Sequence, residues 1–259
     1  MAIKFSPLEV FSQFAPNSRG DLKLRSDLTI NNIINIFPLL TKLSLHQKNN
    51  KTKIIKINSI LKNFKDLKKC NELKVLLDNY GSDKSHRHNY HYLYSHILNN
   101  KNSISGILEI GLGTNNVDIL SNMGIHGKPG ASLRAFRDFC PNAEVYGADI
   151  DKRILFTEDR INTYYVDQTN TSSLDNLNKI IPNKLDLVID DGLHTPCSNI
   201  NTLIFGIDKI KVGGWLVIED ISIQSQHIWM IVSNLISKNY STYLIQCERS
   251  LIYAIERLK

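Results

Sequence analysis

The sequence predicts an α/β protein: a doubly wound, mostly parallel sheet of seven strands preceded by a helical N-terminal module. Three observations carry this. From Ile107 onward, short β-branched runs alternate with helix-periodic stretches, the order that builds a sheet covered by helices on both faces. Two runs are short and apolar, as strands buried on both faces are: Leu185 to Ile189, interrupted only by Asp186, and Trp215 to Ile218. The first 70 residues are different in kind, with 13 Lys and Arg against 4 Asp and Glu, whereas the rest of the chain carries 18 against 21.

Taken in order, the stretch from Leu28 (Leu-Thr-Ile-Asn-Asn-Ile-Ile-Asn-Ile-Phe) and the stretch Ile54 to Leu67 have helical spacing, and His46 to Lys53 is a polar connector between them. This gives a module over residues 1–77, read as a lid or as the contact of a homo-oligomer, and a main domain over 78–259. Strands are expected at Ile107 to Ile110, Glu144 to Ala148, Thr163 to Val166, Leu185 to Ile189, Trp215 to Ile218, Thr242 to Gln246 and Leu251 to Ile255. Helices are expected at Ala131 to Phe139, Lys152 to Arg160, Ser173 to Ile180, Ser198 to Ile210 and Gln226 to Ser237.

Composition narrows the function classes. A chain of 259 residues with 42% apolar content buries a substantial core, and it has no window near the roughly 20 apolar residues of a membrane span. The opening Met-Ala-Ile-Lys-Phe-Ser-Pro lacks the pattern of a secretory signal, so a cytoplasmic location is expected. Cys70, Cys140, Cys197 and Cys247 form no Cys-x-x-Cys pair and read as free thiols. The net charge of +6 resides in the N-terminal segment, which has no aromatic-basic interleaving and no reader motif, and this argues against a nucleic-acid partner.

The chemistry-bearing residues sit where strands end. Leu185 to His194 closes on Asp190, Asp191 and His194, and the run from Trp215 closes on Glu219 and Asp220. If these strands are neighbours, their acids converge where open α/β sheets place ligands, and such like charges need a cation, a ligand amine or protons. Upstream, Ile107-Leu-Glu-Ile-Gly-Leu-Gly is a strand running into glycines that let backbone approach a ligand, though without the third glycine of the dinucleotide fingerprint. Glu109 lies inside that strand. Asp149 ends the next one, where a carboxylate can accept both hydroxyls of a ribose, and Asp167-Gln168 ends the third, where the pair could read an adenine edge.

Seven ordered blocks carry a resemblance: Gly81-Ser-Asp-Lys84, Leu108-Glu-Ile-Gly-Leu-Gly113, Gly130-Ala-Ser-Leu-Arg-Ala-Phe-Arg137, Pro141 to Asp149, Asp167-Gln168, Ile189-Asp-Asp-Gly-Leu-His194 and Gly213-Gly-Trp-Leu-Val-Ile-Glu-Asp220. Over about residues 78 to 221 the chain resembles class I, Rossmann-like S-adenosylmethionine-dependent methyltransferases, in particular the metal-dependent sugar O-methyltransferases of the macrocin and mycinamicin type. Ser82 stands where Thr is usual and Leu193 where Ser is usual.

The resemblance implies S-adenosylmethionine as methyl donor and Mg²⁺ held by Asp191, Glu219 and Asp220, with His194 as general base. It places Asp149 at the ribose, Asp167 and Gln168 by the adenine, and Gly111 and Asp190 by the methionyl end, counts Asp83, Glu109 and Gly113 among the cofactor-binding residues, and has Lys84 help Asp83 grip the cofactor. The implied acceptor is a small molecule, a carbohydrate hydroxyl. The Asn-, Lys- and Ile-rich composition of an AT-rich bacterial genome points to a nucleotide-linked or capsule sugar, and thus to capsule polysaccharide biosynthesis. Two alternatives stand beside it: a phosphate or phosphoramidate oxygen of a nucleotide conjugate, and a non-catalytic binding protein of the same fold. A degenerate scaffold would be expected to lack acids or the base, and all of them are present.

Such a transfer needs an aligned and activated acceptor oxygen. Three carboxylates suit a hard divalent ion, and an imidazole with an unperturbed pKa near 6.5 can take the proton. His86, His88, His91 and His96 crowd one segment with Tyr90, Tyr92 and Tyr94; with no cysteine partner and no standard zinc spacing, it reads as a His/Tyr-lined flap over the ligands. Arg134 and Arg137 read either as surface ion-pair formers or as phosphate contacts.

Overall fold

The computed structural model describes residues 22–44, 52–63 and 67–259. Cα packing divides the chain into two units, one of residues 1–50 with 227–235 and one of 51–226 with 236–259. The expected boundary at residue 77 falls inside a helix of the larger unit.

In the smaller unit, helix α1 spans Leu22–Ser44 and contains Pro38. Its Thr41 hydroxyl is shared between the Phe37 carbonyl at 2.9 Å and the His227 carbonyl at 3.2 Å. Leu28, Ile30, Ile34 and Leu39 of α1 are exposed.

The larger unit is built on one sheet, and here the seven-strand, mostly parallel expectation is corrected. The sheet is mixed and has nine strands. They are β1 (Thr52–Lys56), β2 (Gly106–Ile110), β3 (Glu144–Asp149), β4 (Thr157–Glu158), β5 (Ile161–Tyr165), β6 (Leu185–Asp190), β7 (Ile210–Ile221), β8 (Tyr240–Gln246) and β9 (Leu251–Arg257), in spatial order β1-β8-β9-β7-β6-β2-β3-β5-β4. All seven expected strands are present, and the two additions lie at the edges. β9 runs antiparallel to both β7 and β8, and β4 antiparallel to β5.

The additions have local causes. Ile54 to Leu67 was expected as helix, but Thr52–Lys56 pairs in parallel with β8, and only then does α2 (Ile57–Asn63) begin. A five-residue run of two isoleucines between lysines does not separate the helical from the strand period, so the open edge of β8 decides. Of the expected connector, residues 46–51 lie outside the described residues, and Thr52 and Lys53 belong to β1. The helix expected over Lys152 to Arg160 is likewise absent. Asp151 caps a single 3₁₀ turn, Lys152–Ile154, by accepting from the Arg153 amide, and the chain then makes a two-residue hairpin between β4 and β5 with Arg160 at φ +55°.

Helices cover both faces. On one side α3 (Leu67–Tyr80), α4 (His91–Ile97) and α5 (Ala131–Phe139) bury Leu73, Leu77, Leu93, Tyr94, Leu133 and Phe136 against Ile107, Ile189 and Val217 of the sheet. On the other lie α6 (Thr171–Ile180) and α7 (Pro196–Ile207), the latter opened by a Thr195–Ser198 capping box with Pro196 in the first turn. α8 (Gln226–Leu235) follows β7 in sequence. β2 and β6 are buried at every residue, as central strands of a covered sheet must be. Among the described residues no helix is long and apolar enough to cross a membrane.

Candidate active site

β2, β3, β5 and β6 run parallel, so their C-terminal ends and the following loops share one edge. A cavity of about 320 Å³ opens there, lined by Gly111, Gly113, Asp149, Asp167, Gln168 and Asp191 among others. Gly111 sits at φ +96°, and a Cβ there would overlap the Asp191 carbonyl oxygen. Its N–H donates to the Ala148 carbonyl, while the Asp191 N–H donates to the Ile110 carbonyl, both at 2.8 Å, so the ends of β3, β2 and β6 are laced together by backbone.

Asp149 fastens the glycine loop, accepting from the Leu112 N–H at 2.7 Å and the Asp151 N–H at 2.8 Å. Burial pushes its carboxyl above the usual range. Asp149 lines the cavity, and a carboxylate has more acceptor positions than these amides fill. Asp151 continues the brace, accepting from Thr114 Oγ1 at 2.6 Å and Asn116 Nδ2 at 2.7 Å, and the Ser121 hydroxyl donates across the cavity rim to the Gly192 carbonyl at 2.8 Å.

Three residues expected beside the cofactor do not line this cavity. Asp190 is fully buried and turns toward α7, accepting from Asn199 Nδ2 at 3.1 Å and Gln168 Nε2 at 2.8 Å. Glu109, also buried, accepts from the Ser132 hydroxyl at 2.6 Å and faces Lys84. Asp83 pairs with His88 Nε2 at 3.4 Å. Gln168 does line the cavity, but its amide is occupied: Nε2 also donates to Thr202 Oγ1 at 2.8 Å, and Oε1 accepts from the Leu193 N–H at 2.9 Å. These bonds brace the 191–194 turn.

The acids of β6 and β7 do converge, because the strands are parallel neighbours pairing Asp190 with Ile218. In a regular strand Glu219 and Asp220 would point to opposite faces. Here the β7–β9 register slips between Ile218 and Ile221, and Asp220 adopts φ +50°, so both carboxylates reach the 83–94 segment. Their partners differ.

Glu219 is 1% exposed, accepting from Lys84 Nζ at 2.6 Å on one oxygen and from the Tyr94 hydroxyl on the other. Lys84 is also 2.6 Å from Asp191 Oδ2 and 3.2 Å from Glu109 Oε1. Burial alone would drive its ammonium toward neutrality, but Asp191, Glu219 and Glu109 together hold it protonated, above its ordinary value. Asp220 accepts from the Tyr90 hydroxyl and lies 3.7 Å from His88 Nδ1. Hydrogen bonding to Asp83 raises the His88 pKa.

Among the described residues, one group of His, Cys, Asp and Glu atoms could hold a metal ion: Asp191, His194 and Asp220, with all ligand atoms within 4.8 Å of one another. His194 Nε2 is 3.9 Å from Asp191 Oδ1, and the residue is held at φ +58°. Two non-glycine residues in the left-handed region, His194 and Asp220, therefore face one point, a strain that the surrounding structure maintains. Glu219 is not in this group.

Sequence reasoning missed the part played by the 83–94 segment. Lys84 enters the acid cluster itself, and Tyr90 and Tyr94, four residues apart, send their hydroxyls to Asp220 and Glu219. That spacing at the start of α4 was the available signal. The four histidines diverge: His86 approaches Asp78, His91 is buried, and His96 meets the edge of Trp215. Arg134 and Arg137 both pair with Glu158, and the four cysteines are free.

No protein-family profile matches the chain. Two curated proteins do. The 8-demethyl-8-alpha-L-rhamnosyl tetracenomycin-C 2'-O-methyltransferase of Streptomyces olivaceus is 29% identical over 143 residues, covering 55% of this chain and 35% of that protein. The mycinamicin VI 2''-O-methyltransferase of Micromonospora griseorubida is 34% identical over 91 residues, covering 35% of this chain and 23% of that protein. The chain thus spans a quarter to a third of the length of these relatives. Among solved structures, the MycE methyltransferase of mycinamycin biosynthesis, in complex with Mg, SAH and mycinamycin VI, matches with a TM-score of 0.57 at 23% identity, covering 72% of this chain and 54% of that one. The fold is that of the class I methyltransferases. Within that class the chain resembles the sugar O-methyltransferases.

Proposed function

We propose that the chain is an S-adenosylmethionine- and Mg²⁺-dependent O-methyltransferase acting on a sugar hydroxyl, and that this sugar is nucleotide-linked or part of a surface polysaccharide. The observation that carries the reading is the double position of Asp191. It lines the strand-end cavity and also belongs to the Asp191–His194–Asp220 group, so a donor in the former and an acceptor at the latter would meet.

The residues fit both ligands. In the cavity, Asp149 has acceptor capacity for the two ribose hydroxyls, Asp167 lies at the adenine end, and the open backbone at Gly111 and Gly113 faces the methionyl part. At the acid group, the oxygens of Asp191 and Asp220 are hard donors, and Mg²⁺ commonly uses one or two carboxylates while keeping waters. When bound, the ion would lower the pKa of an acceptor hydroxyl, and the donor would supply an already activated methyl.

The chain's own part is to position and to move a proton. Asp191 and Asp220 fix the acceptor side, and the backbone lacing of Gly111 to Ala148 and Asp191 to Ile110 fixes the donor side against it. His194 Nε2, beside Asp191, accepts the hydroxyl proton as the oxygen is methylated.

The test is incubation with methyl-labelled S-adenosylmethionine and a panel of sugar nucleotides and capsule intermediates, read by a mass gain of one methyl, with and without EDTA. The expected outcome is methylation of a sugar that stops on chelation and returns with Mg²⁺. Activity undiminished in excess EDTA overturns the metal dependence. Label appearing only on a phosphate or phosphoramidate oxygen overturns the sugar acceptor.

A further inference from the structure

Two turns are knotted together beside Asp220. Residues 83–90 form the first, where the Arg87 N–H donates to the Asp83 carbonyl at 3.2 Å and the Tyr90 N–H to the Lys84 carbonyl at 2.7 Å. Residues 247–250 form the second, joining β8 to β9, with the Cys247 N–H donating to the Ser250 carbonyl at 3.0 Å. The Tyr90 and Ser250 hydroxyls lie 2.9 Å apart, Tyr90 also donates to Asp220, and His88 Nδ1 is 3.7 Å from that carboxylate. Arg87 precedes His88 in the chain, and Arg249 precedes Ser250. Both arginines are exposed. Arg134, Arg137, Arg153, Arg160 and Arg257 each bond to a carboxylate or a carbonyl oxygen, whereas Arg87 and Arg249 make no side-chain hydrogen bond or ion pair among the described residues.

We propose that Arg87 and Arg249 are specificity-determining residues that bind a phosphate group on the acceptor. The sugar is then methylated while it still carries an anomeric phosphate, as a sugar 1-phosphate or a nucleoside diphosphate sugar does. This rests on the sugar methyltransferase reading above and narrows its acceptor.

Three arguments support the assignment. A guanidinium is a planar fork that matches phosphate oxygens two at a time, and a pair of them left free on braced turns is preorganised for such a group. The placement suits it as well. With the acceptor hydroxyl at the Asp191–His194–Asp220 group, one sugar ring separates that hydroxyl from the anomeric phosphate, and each arginine stands one residue from the knot at Asp220. The third argument is charge. The carboxylates of Glu109, Asp191, Glu219 and Asp220 outnumber Lys84, so an anionic acceptor is repelled here unless cations meet its phosphate, and a neutral glycoside needs none. A reaction order follows. A phosphoryl or nucleotidyl transfer supplies this acceptor, and a glycosyl transfer that expels the phosphate consumes the methylated product.

The experiment has two arms, both on the full chain with Mg²⁺. Calorimetry with inorganic pyrophosphate, in the presence of S-adenosylhomocysteine, compares wild type, Arg87→Gln with Arg249→Gln together, and Arg134→Gln. Methyl gain from S-adenosylmethionine is measured on each of a set of hexoses as the methyl glycoside, the 1-phosphate and the UDP-linked form. Pyrophosphate binding should weaken at least about tenfold in the double variant, at an unchanged melting temperature, and stay unchanged in Arg134→Gln. KM for the phosphorylated acceptor should rise about tenfold in each single variant, with kcat within about threefold. Transfer to the 1-phosphate as well as the UDP form identifies a monophosphate as the group bound, and transfer to the UDP form alone identifies a diphosphate. Pyrophosphate binding that is absent, or equal in wild type and the double variant, overturns the assignment. So does a kcat/KM on methyl glycosides as high as on the phosphorylated forms, and the methyl-transfer reading then survives without it. No methyl gain on any acceptor, with pyrophosphate binding still dependent on the two arginines, has the opposite meaning: the anion site stands and the methyl-transfer reading falls.

Discussion

The cavity at the ends of β2, β3 and β5 and the acid cluster at the ends of β6 and β7 meet at Asp191, yet they are held by different means. The cavity is fastened by backbone: Gly111 to Ala148, Asp191 to Ile110, and two amides on Asp149. The cluster is fastened by side chains from a distant segment, with Lys84, Tyr90 and Tyr94 reaching carboxylates more than 100 residues away. A backbone-built site depends on a few glycines and one acid. A cluster of charges depends on every partner being present, because each buried charge left alone is costly. Cavity variants should therefore change donor affinity, and cluster variants should change turnover.

The largest expected effect is at the cluster. His194→Ala should lower kcat by about 10²–10⁴-fold, the usual contribution of a positioned acid or base, while the donor dissociation constant moves no more than about twofold. Initial rates and donor calorimetry measure the two quantities separately. An equal loss in both would mean that cavity and cluster are one site and that His194 supports the donor.

Gly111→Ala probes the seam between them. The residue needs φ +96°, and its Cβ would meet the Asp191 carbonyl, so strain and overpacking should together cost roughly 2–4 kcal/mol in denaturant unfolding. Since the Asp191 backbone must shift to relieve the overlap, donor affinity and kcat should fall together. A variant of normal stability with only one constant altered would show that the two regions are less tightly joined at this point than their hydrogen bonds imply.

Asp149→Ala tests the cavity alone. Losing a carboxylate that can accept from both ribose hydroxyls should weaken donor binding about 10- to 100-fold, at roughly 1–3 kcal/mol for hydrogen bonds to a charged group. kcat at saturating donor should stay within about threefold. A kcat collapse with intact donor binding would reverse the proposed division.

How much of this was legible in the sequence follows the same division. The strand-end motifs were readable because short buried strands leave apolar runs, and the acids and glycines after them are local to those runs. Gly111, Asp149 and Asp167 were found in this way. What could not be read was which carboxylate each partner would choose. Glu219 and Asp220 are adjacent, and only the slip in the β7–β9 register, set by pairing with residues 251–253, turns both to one side. Lys84 was singled out by motif, but its place among three acids depends on how α3 and α4 pack over the sheet. That the Gln168 amide bonds to Asp190, Thr202 and Leu193 is likewise a tertiary fact that the Asp167-Gln168 motif does not carry. The 152–160 segment looked helical because periodicity does not register the capping of Asp151 or a hairpin turn at Arg160.

The smallest expected effect lies outside both regions, at the arginines of α5. Arg134 makes a forked pair with Glu158, Nε at 3.0 Å and the terminal nitrogen at 2.6 Å, donates to the Pro129 carbonyl at 2.9 Å, and stacks its guanidinium 4.3 Å over the Phe156 ring. Arg137 shares Glu158 at 3.2 Å. Neither arginine lines the cavity. These partners account for Arg134 as an ion-pair former. Arg134→Gln should cost about 1 kcal/mol of stability, the scale of a part-exposed ion pair with a cation–π contact, and should leave the acceptor KM unchanged. Glu158 is held below the usual carboxylate range first by the Arg134 hydrogen bonds, so the loss should shrink as pH falls through that range and the pair is neutralised in wild type as well. Unfolding of both proteins at neutral and acidic pH, with acceptor KM at neutral pH, makes the comparison. A KM raised tenfold at unchanged stability would place Arg134 on a phosphate of the acceptor and extend the binding surface beyond the cavity and the cluster.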